Sequence, residues 1–227
     1  MGNTDMKKEE TKKLTRSALR RQREKEQRFQ TILDAAESLF ARSGYHQTSI
    51  EQIADMAEVS VGTVYFYFKN KDDLLVKLLE EIGFRLRSMI GAAFKESGGT
   101  MEGFKQAGYV FFEDFCGNFP EKATILYRES VGQGEAVEAC RKKIIEKMTD
   151  DVKSALIQSS EKMKLRFKSN ASADVIAVSI VGIYERMAYQ YLLWNKRPED
   201  LKTFGREAVA FIIGGINNLV NDGQPCT

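Results

Sequence analysis

Ser60-Val61-Gly62-Thr63-Val64-Tyr65-Phe66-Tyr67-Phe68-Lys69-Asn70-Lys71 is the stretch on which the fold turns. Ser60 is a good N-cap, so the spacing predicts a short helix from Val61 to Phe66 or Tyr67. Val64 and Phe68, four apart, face inward, and Tyr65, Phe66 and Tyr67 cannot all be buried beside them. Gly62 inside such a helix costs about 1 kcal/mol relative to alanine, which close approach to another surface would explain. Asn70 then caps a further helix whose first turn, Lys71-Asp72-Asp73, carries acids suited to the helix dipole.

Upstream, an apolar stripe of Phe29, Ile32, Leu33, Ala36, Leu39 and Phe40 marks one face of a helix that Gly44 ends. Thr48-Ser49-Ile50-Glu51 reads as a capping box, with Thr48 as the cap and Glu51 reaching back. The short helix it opens has Ile50, Ile53, Ala54 and Ala57 inside, and Glu58-Val59-Ser60 leaves room only for a turn. Two short helices joined by a tight turn make a helix-turn-helix candidate.

Downstream, Leu74, Leu75, Leu78, Leu79, Ile82, Leu86 and Met89 stripe a helix linking this module to the rest of the chain. Helical patterns then cover roughly residues 101 to 117, 120 to 131, 135 to 167, 172 to 194, and from Pro198 to about Asn218. The whole is predicted all-α: an N-terminal three-helix module followed by a larger helical domain. The expected division is a basic arm over residues 1–28, the helix-turn-helix over 29–75 and the larger domain over 76–227.

Charge locates the interacting end. The 227 residues carry 34 Lys and Arg against 32 Asp and Glu, a net +2. Residues 1–28 alone hold ten basic and five acidic side chains, and the remainder is slightly negative. Arg16, Arg20, Arg21, Arg23, Lys25 and Arg28 could therefore follow a phosphate backbone or enter a minor groove. A surface helix on a membrane is the rival use, but Leu14 and Leu19 are its few large apolar residues.

Several chemistries lack their parts. His46 is the only histidine, so a catalytic triad or a multi-histidine metal site would have to be built around one residue. Cys116, Cys140 and Cys226 are odd in number, widely spaced and form no C-x-x-C pair. Glycines never fall into a phosphate-binding loop. No cofactor or metal is expected. With no signal-like or membrane-spanning apolar run, the reading is a cytoplasmic protein. An all-helical enzyme acting on an acyl compound would need shifted acids such as Glu129 or Glu185, and stands as the alternative.

Residues 29 to 79, with Gly44-Tyr45, Thr48-Ser49-Ile50, Ile53-Ala54, Val59-Ser60, Gly62-Thr63, Tyr65-Phe66-Tyr67-Phe68-Lys69-Asn70-Lys71 and Leu74-Leu75, resemble the DNA-binding domain of TetR-family transcriptional regulators. Glu58 departs from the glycine common at that turn. The resemblance implies a homodimer on a palindromic double-stranded DNA operator, a ligand-responsive regulator of the repressor type. It implies that Thr63 and Tyr65 contact bases or adjoining backbone, that Tyr67 and Lys71 reach phosphates, and that Thr48 and Ser49 add hydroxyl contacts. Val61 and Gly62 supply the small N-terminal end that base edges require, and Arg28 is the nearest residue of the arm.

In the larger domain the same resemblance, closest to regulators of fatty-acid degradation, implies a small hydrophobic effector such as an acyl-CoA or fatty acid. Phe112, Tyr127, Arg128, Tyr184, Glu185 and Trp194 are the candidate lining. The charges Arg128, Glu129, Glu185 and Arg186 either pair with one another or orient the ligand. The helix over 172 to 194 is apolar on more than one side. With Phe204, Ala208, Phe211, Ile212, Gly215, Ile216 and Leu219, it is expected to form a four-helix dimer interface, a purely internal core being the alternative.

Overall fold

The computed structural model describes residues 16 to 195 and 197 to 222. The arm before Arg16 and the expected Cys226 thiol lie outside the described residues.

The first helix, α1 (Arg16–Ser43), is continuous, so Arg16 to Arg28 are its opening turns. Its predicted stripe is buried from Ile32 to Phe40, while Phe29 packs at the surface against the rings of Tyr67 and Phe68. Helices α2 (Ile50–Met56) and α3 (Val61–Tyr67) follow, then α4 (Lys71–Glu96), whose six leucine and isoleucine positions from Leu74 to Leu86 are buried. α4 is one unbroken helix running from the DNA-binding module into the larger domain. A two-bond contact from Arg87 to Asp151, at 2.6 and 2.9 Å, fastens that body to the larger domain.

The larger domain contains α5 (Met101–Tyr109), α6 (Cys116–Asn118), α7 (Pro120–Thr124), α8 (Glu135–Lys162), α9 (Ser172–Ala188) and α10 (Pro198–Leu219). Three of these helices are extended or joined by π-helical segments: Val110–Phe115, Ile125–Glu129 and Tyr189–Trp194. Each falls inside a stretch that periodicity predicts as plain helix.

One predicted helix ends early. The pattern over 135 to 167 stops at Lys162, Lys164 takes a left-handed φ of 56°, and Leu165–Phe167 becomes strand β1. It pairs antiparallel with β2 (Val220–Asp222), with Arg166 opposite Asn221. This two-stranded ribbon closes an apolar recess lined by Phe104, Leu156, Met163, Phe167 and Ile216. Among the described residues no helix is long and apolar enough to cross a membrane.

The expected dimer helices split into two faces. Ile176, Ile180, Val181, Ala208, Ile212 and Ile216 are buried in their own domain, which corrects the expectation for Ala208, Ile212 and Ile216. Val175, Val178 and Phe211 instead face solvent at 56, 62 and 73% exposure. Gly182, Gly214 and Gly215 have open space around them, and a shallow groove between the helices runs along Ser179, Gly182, Ile183, Arg186 and Phe211.

Candidate nucleic-acid interface

Two N-caps set the recognition element. Ser49, not Thr48, caps α2: its Oγ accepts Gln52 N–H at 3.2 Å, and Gln52 Oε1 accepts Ser49 N–H at 2.8 Å. The capping box is therefore one residue later than the Thr48–Glu51 pairing expected from sequence. Thr48 is 2% exposed and donates its hydroxyl to the Gly44 carbonyl at 2.9 Å, so its side chain braces the turn and is closed to an outside partner. Ser60 caps α3 as expected, accepting Thr63 N–H at 3.1 Å and hydrogen-bonded to the Thr63 hydroxyl at 2.8 Å.

The turn between the helices closes through Glu58 N–H to the Asp55 carbonyl and Val59 N–H to the Ala54 carbonyl, at 3.1 and 3.0 Å. This paired pattern demands a left-handed residue, and Glu58 supplies it at φ 53°. The preference for glycine at this turn is thus conformational, since a residue with a Cβ is strained there.

On α3, Val64 and Phe68 are buried and Tyr65 and Phe66 are exposed, at 53 and 72%. Gly62 is exposed, and a Cβ there would meet only Ser60 Oγ, at 3.8 Å. Nothing within the chain therefore requires a glycine, and its helix cost is left for an outside surface to explain. Val61 and Thr63 are half-buried beside it. Tyr67 is half-buried, edge-on to Phe29 at 6.1 Å and to Phe66 at 5.1 Å. Phase alone singles out Phe66, since it lies between the inward Val64 and Phe68, yet it was absent from the expected contacts.

Lys71 has work inside the protein. Its ammonium donates to the carbonyls of Tyr45 and Thr48 at 2.8 and 2.9 Å and lies 4.3 Å from the Tyr45 ring centroid. Burial holds its pKa below the usual lysine value, against the opposing pull of Asp72. It clamps the α1–α2 turn to the start of α4, with one donor position left over. Arg28 is exposed on α1, and Lys25, three residues earlier, lies 5.8 Å from the Phe66 ring centroid.

In the larger domain the structure brings together three of the six candidate lining residues. Phe112, Tyr127 and Tyr184 are buried with Phe111: Phe111 stacks on Tyr184 at 4.7 Å, Phe112 meets Tyr184 edge-on at 5.0 Å, and Tyr127 lies 6.4 Å from Phe111. Burial raises the Tyr184 and Tyr127 phenols well above the ordinary tyrosine range. A Cβ on Gly205 would come within 2.5 Å of the Phe112 ring, so close helix approach seals this cluster. The three π segments contribute Phe111 and Phe112, contribute Tyr127, and follow directly on the helix bearing Tyr184.

The other three candidates lie elsewhere. Trp194 is 58% exposed, with the Arg186 guanidinium 4.5 Å from its ring. Arg128 points to α1, and Glu185 pairs with Arg141 at 3.7 Å. Of the charges expected to pair or to orient a ligand, Arg128 pairs with Glu129 at 2.5 Å.

A capped two-helix unit with an exposed second helix on a basic first helix defines a helix-turn-helix DNA-binding protein. Residues 32–78 match the family model described as bacterial regulatory proteins, tetR family. The module over residues 32–78 is therefore of the TetR type, and the relatives the chain matches are named as transcriptional regulators. It is 44% identical over 59 residues to the fatty acid metabolism regulator protein of Bacillus subtilis, covering 26% of this chain and 30% of that one. The chain thus spans less than a third of that relative. It is 27% identical over 195 residues to the transcriptional activator FasR of Mycolicibacterium smegmatis, covering 86 and 85% of the two chains. The fold is that of FadR from Bacillus subtilis, solved in complex with stearoyl-CoA, with a TM-score of 0.72 at 21% identity over 82% of this chain and 98% of that one.

Proposed function

We propose that two copies of this chain bind a two-fold symmetric operator and that a long-chain acyl effector, entering at the aromatic cluster of Phe111, Phe112, Tyr127 and Tyr184, releases them. The carrying observation is the α3 surface, where Gly62, Tyr65 and Phe66 are exposed without an internal reason. Gly62 allows close backbone approach to base edges, and Tyr65 and Phe66 stand beside it to reach bases and sugar-phosphate. The half-buried Tyr67 and the spare donor of Lys71 lie at the phosphate side.

The second copy seats on the exposed faces of α9 and α10. Val175, Val178 and Phe211 form an apolar strip, and the open glycines beside it allow four helices to approach closely. Two-fold pairing fixes the separation of the two recognition helices, so a ligand that favours another separation lowers affinity by its differential binding energy. Repression follows where such an operator overlaps a promoter.

For the effector, the support is an apolar interior built from aromatic rings, together with π segments that gather around it. Such segments occur often at functional sites because their irregular turns can rearrange. The stearoyl chain of the stearoyl-CoA in the Bacillus FadR complex is apolar in the same way. The test is to select an operator from random duplexes and titrate the complex with stearoyl-CoA. Release at micromolar ligand supports the reading, whereas selection that yields no enriched sequence overturns the DNA assignment and unchanged affinity overturns the effector.

A further inference from the structure

Residues 120 to 134 lie between the aromatic cluster and the DNA-binding module, and neighbouring residues on this segment serve opposite sides. Ile125, Leu126 and Tyr127 are buried in the larger domain. Lys122 pairs with Glu37 of α1 at 2.5 Å, and Arg128 Nη2 donates to the Ala41 carbonyl at 3.4 Å. Glu129 Oε2 accepts the backbone N–H of Tyr45 at 2.7 Å, and its Oε1 accepts Arg128 Nε. Glu129 is only 9% exposed.

Tyr45 is a hub. Its carbonyl holds Lys71, its ring packs on Phe40 at 5.2 Å, and its hydroxyl donates to Asp72 in the first turn of α4. The α1–α2 turn that carries Tyr45 leads directly into α2. One backbone N–H therefore joins the larger domain to the turn, to α2 and to α4 together.

We infer that Glu129 is the positioning residue through which the state of the aromatic cluster reaches the helix-turn-helix. Tyr127 and Glu129 share one π segment, so a ligand that displaces the Tyr127 ring turns that segment and withdraws the carboxylate from Tyr45. A buried carboxylate that loses a charge-assisted hydrogen bond is costly, so the contact behaves as a latch with two settings rather than a graded spring. Regulation by an effector rests on the function proposed above; the mechanical link does not, and it can be read without ligand or DNA.

The test is backbone hydrogen exchange over residues 44–50 of the full chain. Glu129→Ala is expected to raise exchange there at least tenfold, and Glu129→Gln, which keeps an acceptor oxygen, to restore part of the protection. Tyr127→Leu is expected to raise it severalfold in the wild-type background and less than twofold in the Glu129→Ala background. Equal effects of Tyr127→Leu in both backgrounds, or no effect in the wild type, overturn the inference. Should Tyr127→Leu fail to fold, Phe111→Leu probes the same cluster.

With stearoyl-CoA as the probe, the ratio of operator affinities without and with ligand should fall at least fivefold in Glu129→Ala, and stearoyl-CoA should bind the free variant at least as tightly as wild type, because it no longer breaks the contact to Tyr45. A ratio that stays at the wild-type value overturns the coupling. Absence of stearoyl-CoA binding overturns the effector reading alone, and the exchange comparison still decides the latch.

Discussion

The ammonium of Lys25 lies 5.8 Å from the centroid of the Phe66 ring, placing one face of the first turns of α1 beside the recognition helix. At 100° per residue Arg21, Lys25 and Arg28 share that face with Phe29, while Arg16, Arg20 and Arg23 lie opposite and Arg20 pairs with Glu24 at 2.8 Å. The side of α1 that is apolar within the domain becomes basic where the helix extends beyond it.

Phosphate contact should therefore be face-specific. Replacing Arg21, Lys25 and Arg28 with alanine should weaken operator and random DNA alike and reduce the slope of log affinity against log salt by about 0.9 per lost contact. The same change at Arg16, Arg20 and Arg23 should leave the slope nearly intact. Anisotropy titrations over a range of salt read both, and equal losses would show that only total charge matters.

Gly62→Ala separates stability from binding. The added methyl meets only Ser60 Oγ at 3.8 Å, so the folded chain should gain up to about 1 kcal/mol from helix propensity. Operator affinity should nevertheless drop, because the methyl holds the α3 backbone off the base edges, and Tyr65→Ala should lower it by roughly 1–3 kcal/mol through a lost base contact. Denaturant melts and operator titrations on the same preparations check the two directions.

Glu58→Gly relieves the left-handed residue at the α2–α3 turn. A gain of about 1 kcal/mol is expected from the strain removed, less the extra flexibility of the unfolded chain. A denaturation midpoint no higher than that of the wild type would contradict it.

Phe211→Glu, or Val178→Asp, puts a charge on the exposed apolar strip without entering the core. Light scattering should show the mass fall from dimer to monomer, with circular dichroism unchanged. Operator affinity should fall with it, because one copy reads only half a two-fold site.

Glu113 ties the first π segment to α10 through Arg206 at 2.7 Å and Lys202 at 3.1 Å. The hydrogen bond from Arg206 chiefly holds its pKa below the usual glutamate value. A depressed carboxylate stabilises the fold above its unfolded pKa of about 4.3, and that contribution is lost as pH falls through the lower folded value. Thermal melts should show the advantage of wild type over Glu113→Gln at pH 7 shrinking below about pH 4.

Much of the DNA-binding module was legible in the chain because its signals are local. A helix face repeats at three and four residues, and a cap speaks to an amide three positions on, so α1 to α4 and the inward Val64 and Phe68 could be read directly. The one-residue error at Thr48 shows the limit: both Thr48 and Ser49 can cap, and only burial of Thr48 against the Gly44 carbonyl chooses between them. The π segments escape for a related reason, since an extra residue in a turn leaves composition and apolar spacing almost unchanged.

Sequence alone thus determined the helical class, the capped recognition helix, the basic opening of α1 and the aromatic wealth of the larger domain. Tertiary structure decided which groups meet across long separations: Glu129 with Tyr45, Lys71 with two carbonyls of the turn, Tyr184 with Phe111, and β1 with β2. Those pairings depend on the angles and depths at which whole helices pack, and no spacing within a single segment encodes them. The same packing took Arg128 and Trp194 away from the ring cluster and placed Glu129 where the two modules join.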